Sequence, residues 1–174
     1  MHVHYYTTAD RENLTRIYQA GQLEPAPDEF GRPALLWFSS AAKWEPTAGG
    51  QFFDGHRWRA LRGTEVAAAV GCARFSLSAD DPLLMTWEQA CQHYRMSFTA
   101  RRKLEQVARR MGASPGGWRA AAVAVPLEAL QFSVLGVNGW ESLPFGKGVS
   151  EEELRALSGD LLSGAPRHRA PRDR

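Results

Sequence analysis

The sequence predicts a single α+β domain, with strands at both ends of the chain packed against two to three helices. Three observations carry that expectation. Short β-branched and aromatic stretches open the chain and recur late in it. Between them lie segments with apolar residues at i, i+3, i+4 spacing, each introduced by a capping residue. A length of 174 residues at 44% hydrophobic is enough for one full core and ordinary for a globular domain.

Taken in order, His2-Val3-His4-Tyr5-Tyr6-Thr7 reads as a strand. Thr7 or Thr8 then supplies a helix N-cap, with Asp10 in the first turn, Leu14, Ile17 and Tyr18 on one face and Gly21 as terminator. Glu24 to Arg32, with two prolines and a glycine, is a loop. Pro33 to Ser39 is a second strand, apolar on both faces and therefore central. Ser40 to Gly63 has little periodicity and reads as a long irregular loop, with a hairpin around Asp54-Gly55. Val66 to Leu77 reads as one strand, with Ala73, Phe75 and Leu77 on one side and Arg74 and Ser76 on the other.

Thr86 caps a helix carrying Trp87, Ala90, Cys91 and Tyr94. Thr99 caps another, carrying Leu104, Val107, Ala108 and Met111 toward the core, closed by Gly112. Arg119 to Leu127 and Gln131 to Leu135 read as strands, and Ser150-Glu151-Glu152-Glu153 as a capping box before a last helix. The domain is expected to span residues 1–164, followed by a basic disordered tail over 165–174.

Charge is unevenly spread. The chain is formally +2, yet the tail alone holds Arg167, Arg169, Arg172 and Arg174 against Asp173, which leaves residues 1–164 at −1. Net charge therefore gives no general argument for nucleic acid. Two cysteines, Cys72 and Cys91, make neither a disulfide framework nor a four-ligand zinc site, so no metal is expected. The first residues lack a signal peptide's basic and apolar regions, and no apolar run approaches the ~20 residues of a membrane span. The expected location is the cytoplasm, without a membrane partner. Arginine outnumbers lysine 18 to 3, which fits a GC-rich bacterial genome. Walker, GxGxxG, HExxH and Gly-x-Ser-x-Gly patterns do not occur.

Several polar residues stand on or beside expected strands. His4 lies in the first strand, with Tyr5 and Thr7 around it. Phe38 and Ser39 end the second, and Glu141 follows Trp140 near the last. Glu45, in Trp44-Glu45-Pro46-Thr47, flanks the second strand. A neutral imidazole can hydrogen-bond a ribose hydroxyl, and a carboxylate near an anomeric carbon can stabilise an oxocarbenium-like transition state. Arg74 and Arg119 are candidate anion ligands, Arg119 together with the amides of the preceding Gly116-Gly117 turn.

The order His-aromatic-Thr on the first strand, a helix ending in Gly and an aromatic-Ser strand about 35 residues on resembles the ADP-ribosyltransferase fold. The similarity is to its histidine-type NAD site, as in poly-ADP-ribose-polymerase-like and DNA-targeting toxin branches. It is carried by His4-Tyr5-Tyr6-Thr7-Thr8, Leu14 to Leu23 and Trp37-Phe38-Ser39-Ser40. The resemblance implies transfer of ADP-ribose from NAD to a macromolecular acceptor. His4, with Tyr5 and Thr7, would hold the substrate's ribose side. Phe38 or Ser39 would line the nicotinamide pocket, and Glu141 or its competitor Glu45 would be the catalytic acid. The family's second-motif tyrosine is absent, since Trp37-Phe38 stands there.

Two other classes compete. One is a non-catalytic binding module using the aromatic loop 44–58, in which Trp44 and Trp58 are two of the chain's six tryptophans. The other is a nucleic-acid-binding protein using the tail and the 101–110 helix, where Arg101, Arg102, Lys103, Arg109 and Arg110 cluster.

Overall fold

The structure is a computed structural model that describes residues 1–25, 34–49, 51–53, 56 and 58–146. The expected turn at Asp54-Gly55, most of the 24–32 loop, Pro33, the helix after Ser150 and the basic tail lie outside the described residues.

The chain opens with strand β1, His2–Thr8, and helix α1, Arg11–Ala20. Asp10, and neither threonine, is the N-cap. Its carboxylate accepts from the Asn13 amide at 2.9 Å and from Thr8 Oγ1 at 2.5 Å. Gly21, at φ 66°, ends the helix with its amide on Ile17 and Tyr18. Strands β2 (Gln22–Leu23), β3 (Leu36–Ser39), β4 (Gln51–Phe53) and β5 (Trp58–Ala60) follow, β4 and β5 pairing antiparallel as a small separate ribbon.

The expected single strand from Val66 to Leu77 is a helix followed by a strand: α2, Gly63–Val70, and β6, Cys72–Ser78. Ala67, Ala68 and Ala69 favour helix, and Glu65 accepts from the Arg62 amide at 2.8 Å to cap it. Gly71, at φ 76°, makes the break. A Cβ there would meet the Ala9 Cβ at 2.9 Å, so only glycine fits this crossing.

Next come β7 (Met85–Thr86), α3 (Trp87–His93) and α4 (Phe98–Arg110). Thr86 caps α3, its Oγ1 accepting from the Gln89 amide while the Gln89 side chain accepts from the Thr86 amide. Ser97 rather than Thr99 caps α4. The expected 119–127 strand is shorter and broken. It becomes β8 (Trp118–Ala121) and β9 (Val125–Pro126), the latter pairing with β2. The chain then forms β10 (Gln131–Gly136) and β11 (Gly139–Leu143), an antiparallel hairpin that places Glu141 within a strand.

Seven strands form one antiparallel sheet in the order β11-β10-β6-β1-β3-β8-β7. With four helices among the described residues, the α+β class holds, in one domain. Alternation divides the sheet into two faces. Val3, Phe38, Phe75, Phe132 and Val134 fall on one, packing with Leu14 and Ile17 of α1 as the main core. Phe75 and Phe132 stand 5.0 Å apart by ring centroid, with Phe145 stacked 4.4 Å from Phe132. The opposite face carries Trp118, Ser39, His4 and Ser76 in one row across β8, β3, β1 and β6. This polar row across the middle of a sheet marks the site.

Candidate functional site

Above that row lies a cleft of about 1060 Å³, bordered by β1, β3, the 45–48 segment, α3 and α4. Three sequence segments deliver its polar groups. β1 supplies His4, β3 supplies Ser39, and the loop after β3 supplies Glu45; all three are buried and line the cleft.

His4 and Ser39 are register partners across β1 and β3. His4 Nδ1 lies 2.7 Å from Ser76 Oγ, its partner on the other neighbouring strand. Burial first, then the positive charge of Arg74 and of His2, pushes the His4 pKa down to about 4. The ring is therefore neutral at pH 7, and Nε2 is available as a donor or acceptor according to the tautomer.

Glu45 is 5% exposed and holds a full set of donors. Its Oε2 accepts from Ser39 Oγ at 2.5 Å and from the Trp118 indole at 3.2 Å. Its Oε1 accepts from the Thr47 hydroxyl at 2.7 Å and from the Thr47 amide at 3.2 Å. Four donors satisfy a buried carboxylate that would otherwise be costly to hold inside the protein. Ser39 thus stands between the imidazole strand and the carboxylate, and its Oγ also accepts from the Ala41 amide at 3.1 Å.

The walls are aromatic. Trp87 meets Trp118 edge to face at 5.2 Å, and Trp37 lies 5.9 Å from Trp87 and nearly parallel to Tyr94 at 6.3 Å. Indole Nε1 of Trp87 donates to Glu105 at 2.7 Å, tying α3 to α4. With Arg101 added at 2.9 Å, that contact holds the Glu105 carboxyl down at about 2. On α4 only Ala108 is buried. Leu104 and Val107, expected in the core, instead line the cleft together with Lys103, which directly precedes Leu104.

The other residues singled out in the sequence fall as follows. Phe38 and Tyr5 border the cleft from the core side of the sheet, their rings 5.9 Å apart. Thr7 is not in the cleft; its Oγ1 accepts from Asn13 Nδ2 at 2.8 Å and fastens α1. Glu141 pairs with Val134 on β11, three strands from β1 and on the face opposite His4. The structure does not bring it to the cleft. Arg74 and Arg119 are outside the cleft lining as well, donating to carbonyls of Ala42 and Trp118 respectively. Trp44 is not a free contact residue: its indole donates to the Leu61 carbonyl at 3.0 Å and its ring packs on Tyr6 at 5.1 Å. The side chain of Trp58 lies outside the described residues. Of the basic helix, Arg101 pairs with Glu88 and Glu105, and Arg109 with Glu105.

Sequence reading missed Ser76, Thr47 and Trp118 as partners of the buried pair. Ser76 had a legible signal, alternating with Arg74 on the polar side of its strand. Trp118 had none, because its contact with Glu45 spans 73 residues. Among the described residues no group of three His, Cys, Asp or Glu could hold a metal ion, and no helix is long and apolar enough to cross a membrane. Comparison with family models, with curated proteins and with solved structures found no match.

Proposed function

We propose that the cleft binds NAD as substrate and that the chain is an ADP-ribosyltransferase-like enzyme. One observation carries the reading: His4, Ser39 and Glu45, drawn from three segments, converge in one aromatic-walled cleft. Small-molecule pockets run to roughly 300–1,000 Å³. This cleft, at about 1060 Å³, suits an extended dinucleotide, with aromatic faces for its rings and Lys103 for its phosphates.

In this reading the neutral His4 imidazole hydrogen-bonds a hydroxyl of the nicotinamide-side ribose through Nε2. The bond from ribose C1 to the pyridinium nitrogen breaks, its electron pair passes to that nitrogen, and neutral nicotinamide leaves. Positive charge grows on the ribose ring, where the fixed Glu45 carboxylate stabilises it. An acceptor nucleophile then bonds C1 and its proton passes to water. Ser39, Trp118 and Thr47 keep the carboxylate in place throughout, so no reorganisation is needed at the moment of reaction.

Incubation with NAD labelled in the adenylate part and a bacterial lysate tests this. Label transfer together with nicotinamide release is the expected result. Absence of transfer, of release and of NAD binding by calorimetry would discard it.

A further inference from the structure

The loop that carries Glu45 leaves β3 at Ser39, and its carbonyls at 41–43 are met by side chains of the sheet. Tyr6 of β1 donates its hydroxyl to the Ala41 carbonyl. Arg74 of β6 donates Nη1 to the Ala42 carbonyl at 2.6 Å. Trp140 of β11 donates its indole to the Lys43 carbonyl at 2.9 Å. Three successive carbonyls are therefore taken by three different strands.

The three donors also hold one another. The Arg74 guanidinium lies 4.4 Å above the Trp140 ring, and Tyr6 stands 5.7 Å from the same ring. All three sit on the His4 face of the sheet, by alternation along β1, β6 and β11. Arg74 keeps this place even though its Nε is buried with no hydrogen-bond partner among the described residues.

Resting on the functional reading above, we propose that Tyr6, Arg74 and Trp140 form a carbonyl clasp that positions Glu45 for the reaction without touching the substrate. The clasp fixes residues 41–43, two residues short of Glu45. Ser39, Thr47 and Trp118 then fix the carboxylate itself. The sheet's far edge, 97 residues away in sequence at Trp140, is thereby coupled to the cleft. These are positioning residues, acting through Glu45.

The Trp118 indole N–H reports on the clasp directly, since its acceptor is Glu45. Its hydrogen exchange can be followed by NMR in full-length protein, with the resonance assigned from Trp118→Phe. Trp140→Phe keeps an aromatic side chain at this position but removes the indole donor together with part of the ring area; Arg74→Met removes the cation, and Arg74→Lys restores a donor. Val137→Ala, at the exposed β10–β11 turn, is the control. Indole exchange should quicken about tenfold in Trp140→Phe and Arg74→Met, with partial rescue in Arg74→Lys, as expected for local loosening. Nicotinamide release should fall in kcat with KM little changed. Unchanged indole exchange in both Trp140→Phe and Arg74→Met overturns the clasp. Faster exchange with undiminished kcat overturns its role in positioning. No release by the unaltered protein overturns the enzyme reading instead, and the exchange rates still decide the clasp.

Discussion

His4 on β1 and Ser39 on β3 are register partners, and each anchors its own hydrogen-bond system: Ser76 holds the imidazole, while Ser39 holds the Glu45 carboxylate. A neutral ring on one strand and, on the next, the serine that holds a saturated carboxylate thus share one sheet face. The sheet supplies rigidity on both sides of the pair, since β1 and β3 are interior strands. Sites built on strands hold geometry more closely than sites on loops. Glu45, the one member from a loop, compensates with four donors of its own.

The first prediction concerns those donors. Each Glu45 oxygen accepts one hydroxyl and one N–H, from Trp118 on one side and the Thr47 amide on the other. Hydroxyls can rotate, but neither N–H can. In Glu45→Gln the amide nitrogen must therefore face one fixed donor in either orientation. Stability should drop by about 1–3 kcal/mol, the cost of an unsatisfied buried donor. Nicotinamide release should fall at least about 100-fold with the loss of the carboxylate's charge. Urea unfolding and a release assay read the two effects separately. A glutamine variant that turns over like the parent would remove Glu45 from the mechanism.

Acid should weaken the fold through His4. Its pKa is about 4 in the folded protein against 6.5 unperturbed, chiefly because of burial. Between those values the unfolded chain binds a proton that the folded one does not. Stability is thus unaffected by His4 above about pH 6.5, falls as pH drops through the window, and levels off below about pH 4. Between pH 7 and about pH 4.5 the parent should lose about 2 kcal/mol more than His4→Gln, which lacks the titrating ring. Equal losses in the two proteins, from urea titrations at both pH values, would show that the ring protonates freely in the native state.

Trp44 is a wedge, and glycine makes room for it. A Cβ at Gly49 would meet Trp44 Cζ2 at 2.9 Å, with Leu61 Cβ and the Leu61 carbonyl both at 3.2 Å. Gly49→Ala should therefore cost about 1–3 kcal/mol, as overpacking does. In a Trp44→Leu background the part of that cost due to the ring should vanish, while the Leu61 contacts keep the remainder. A thermal double-mutant cycle measures the coupling. Additive effects would mean that the ring and the glycine do not touch.

The elements and contacts of the site differ in how far the local sequence shows them. β1, the Gly21 stop, the Thr86 cap and the Gln131 strand follow from local chemistry, and all four are present. The 66–77 segment misled because the apolar run 66–70 has no period, and only Gly71 marks where helix gives way to strand. His4, Ser39 and Glu45 were readable as candidates because polar groups beside apolar strands need partners. Glu141 was equally readable, and only strand parity sends it to the other face. The Trp118 and Trp140 contacts, at separations of 73 and 97 residues, had no local trace. The α4 stripe had the right period for a core helix, yet period alone cannot say whether core or cleft lies opposite.

That stripe gives the last prediction. Leu104 is 46% exposed and Val107 39%, both facing the cleft from α4, while Ala108 is buried. Apolar side chains half-exposed on the wall of a cleft gain further burial when a ligand covers them. The double variant Leu104→Ser, Val107→Ser should leave the domain folded and cost roughly 1–2 kcal/mol of unfolding stability, since each side chain is also partly covered by protein. Its affinity for NAD should weaken about five- to tenfold, since roughly 50 Å² of apolar burial at about 25 cal/mol per Å² is worth near 1 kcal/mol. Calorimetric titration with NAD alongside thermal unfolding separates the two. A variant that loses its fold would make the α4 stripe part of the core, and one that binds NAD as tightly as the parent would move the ligand away from this wall.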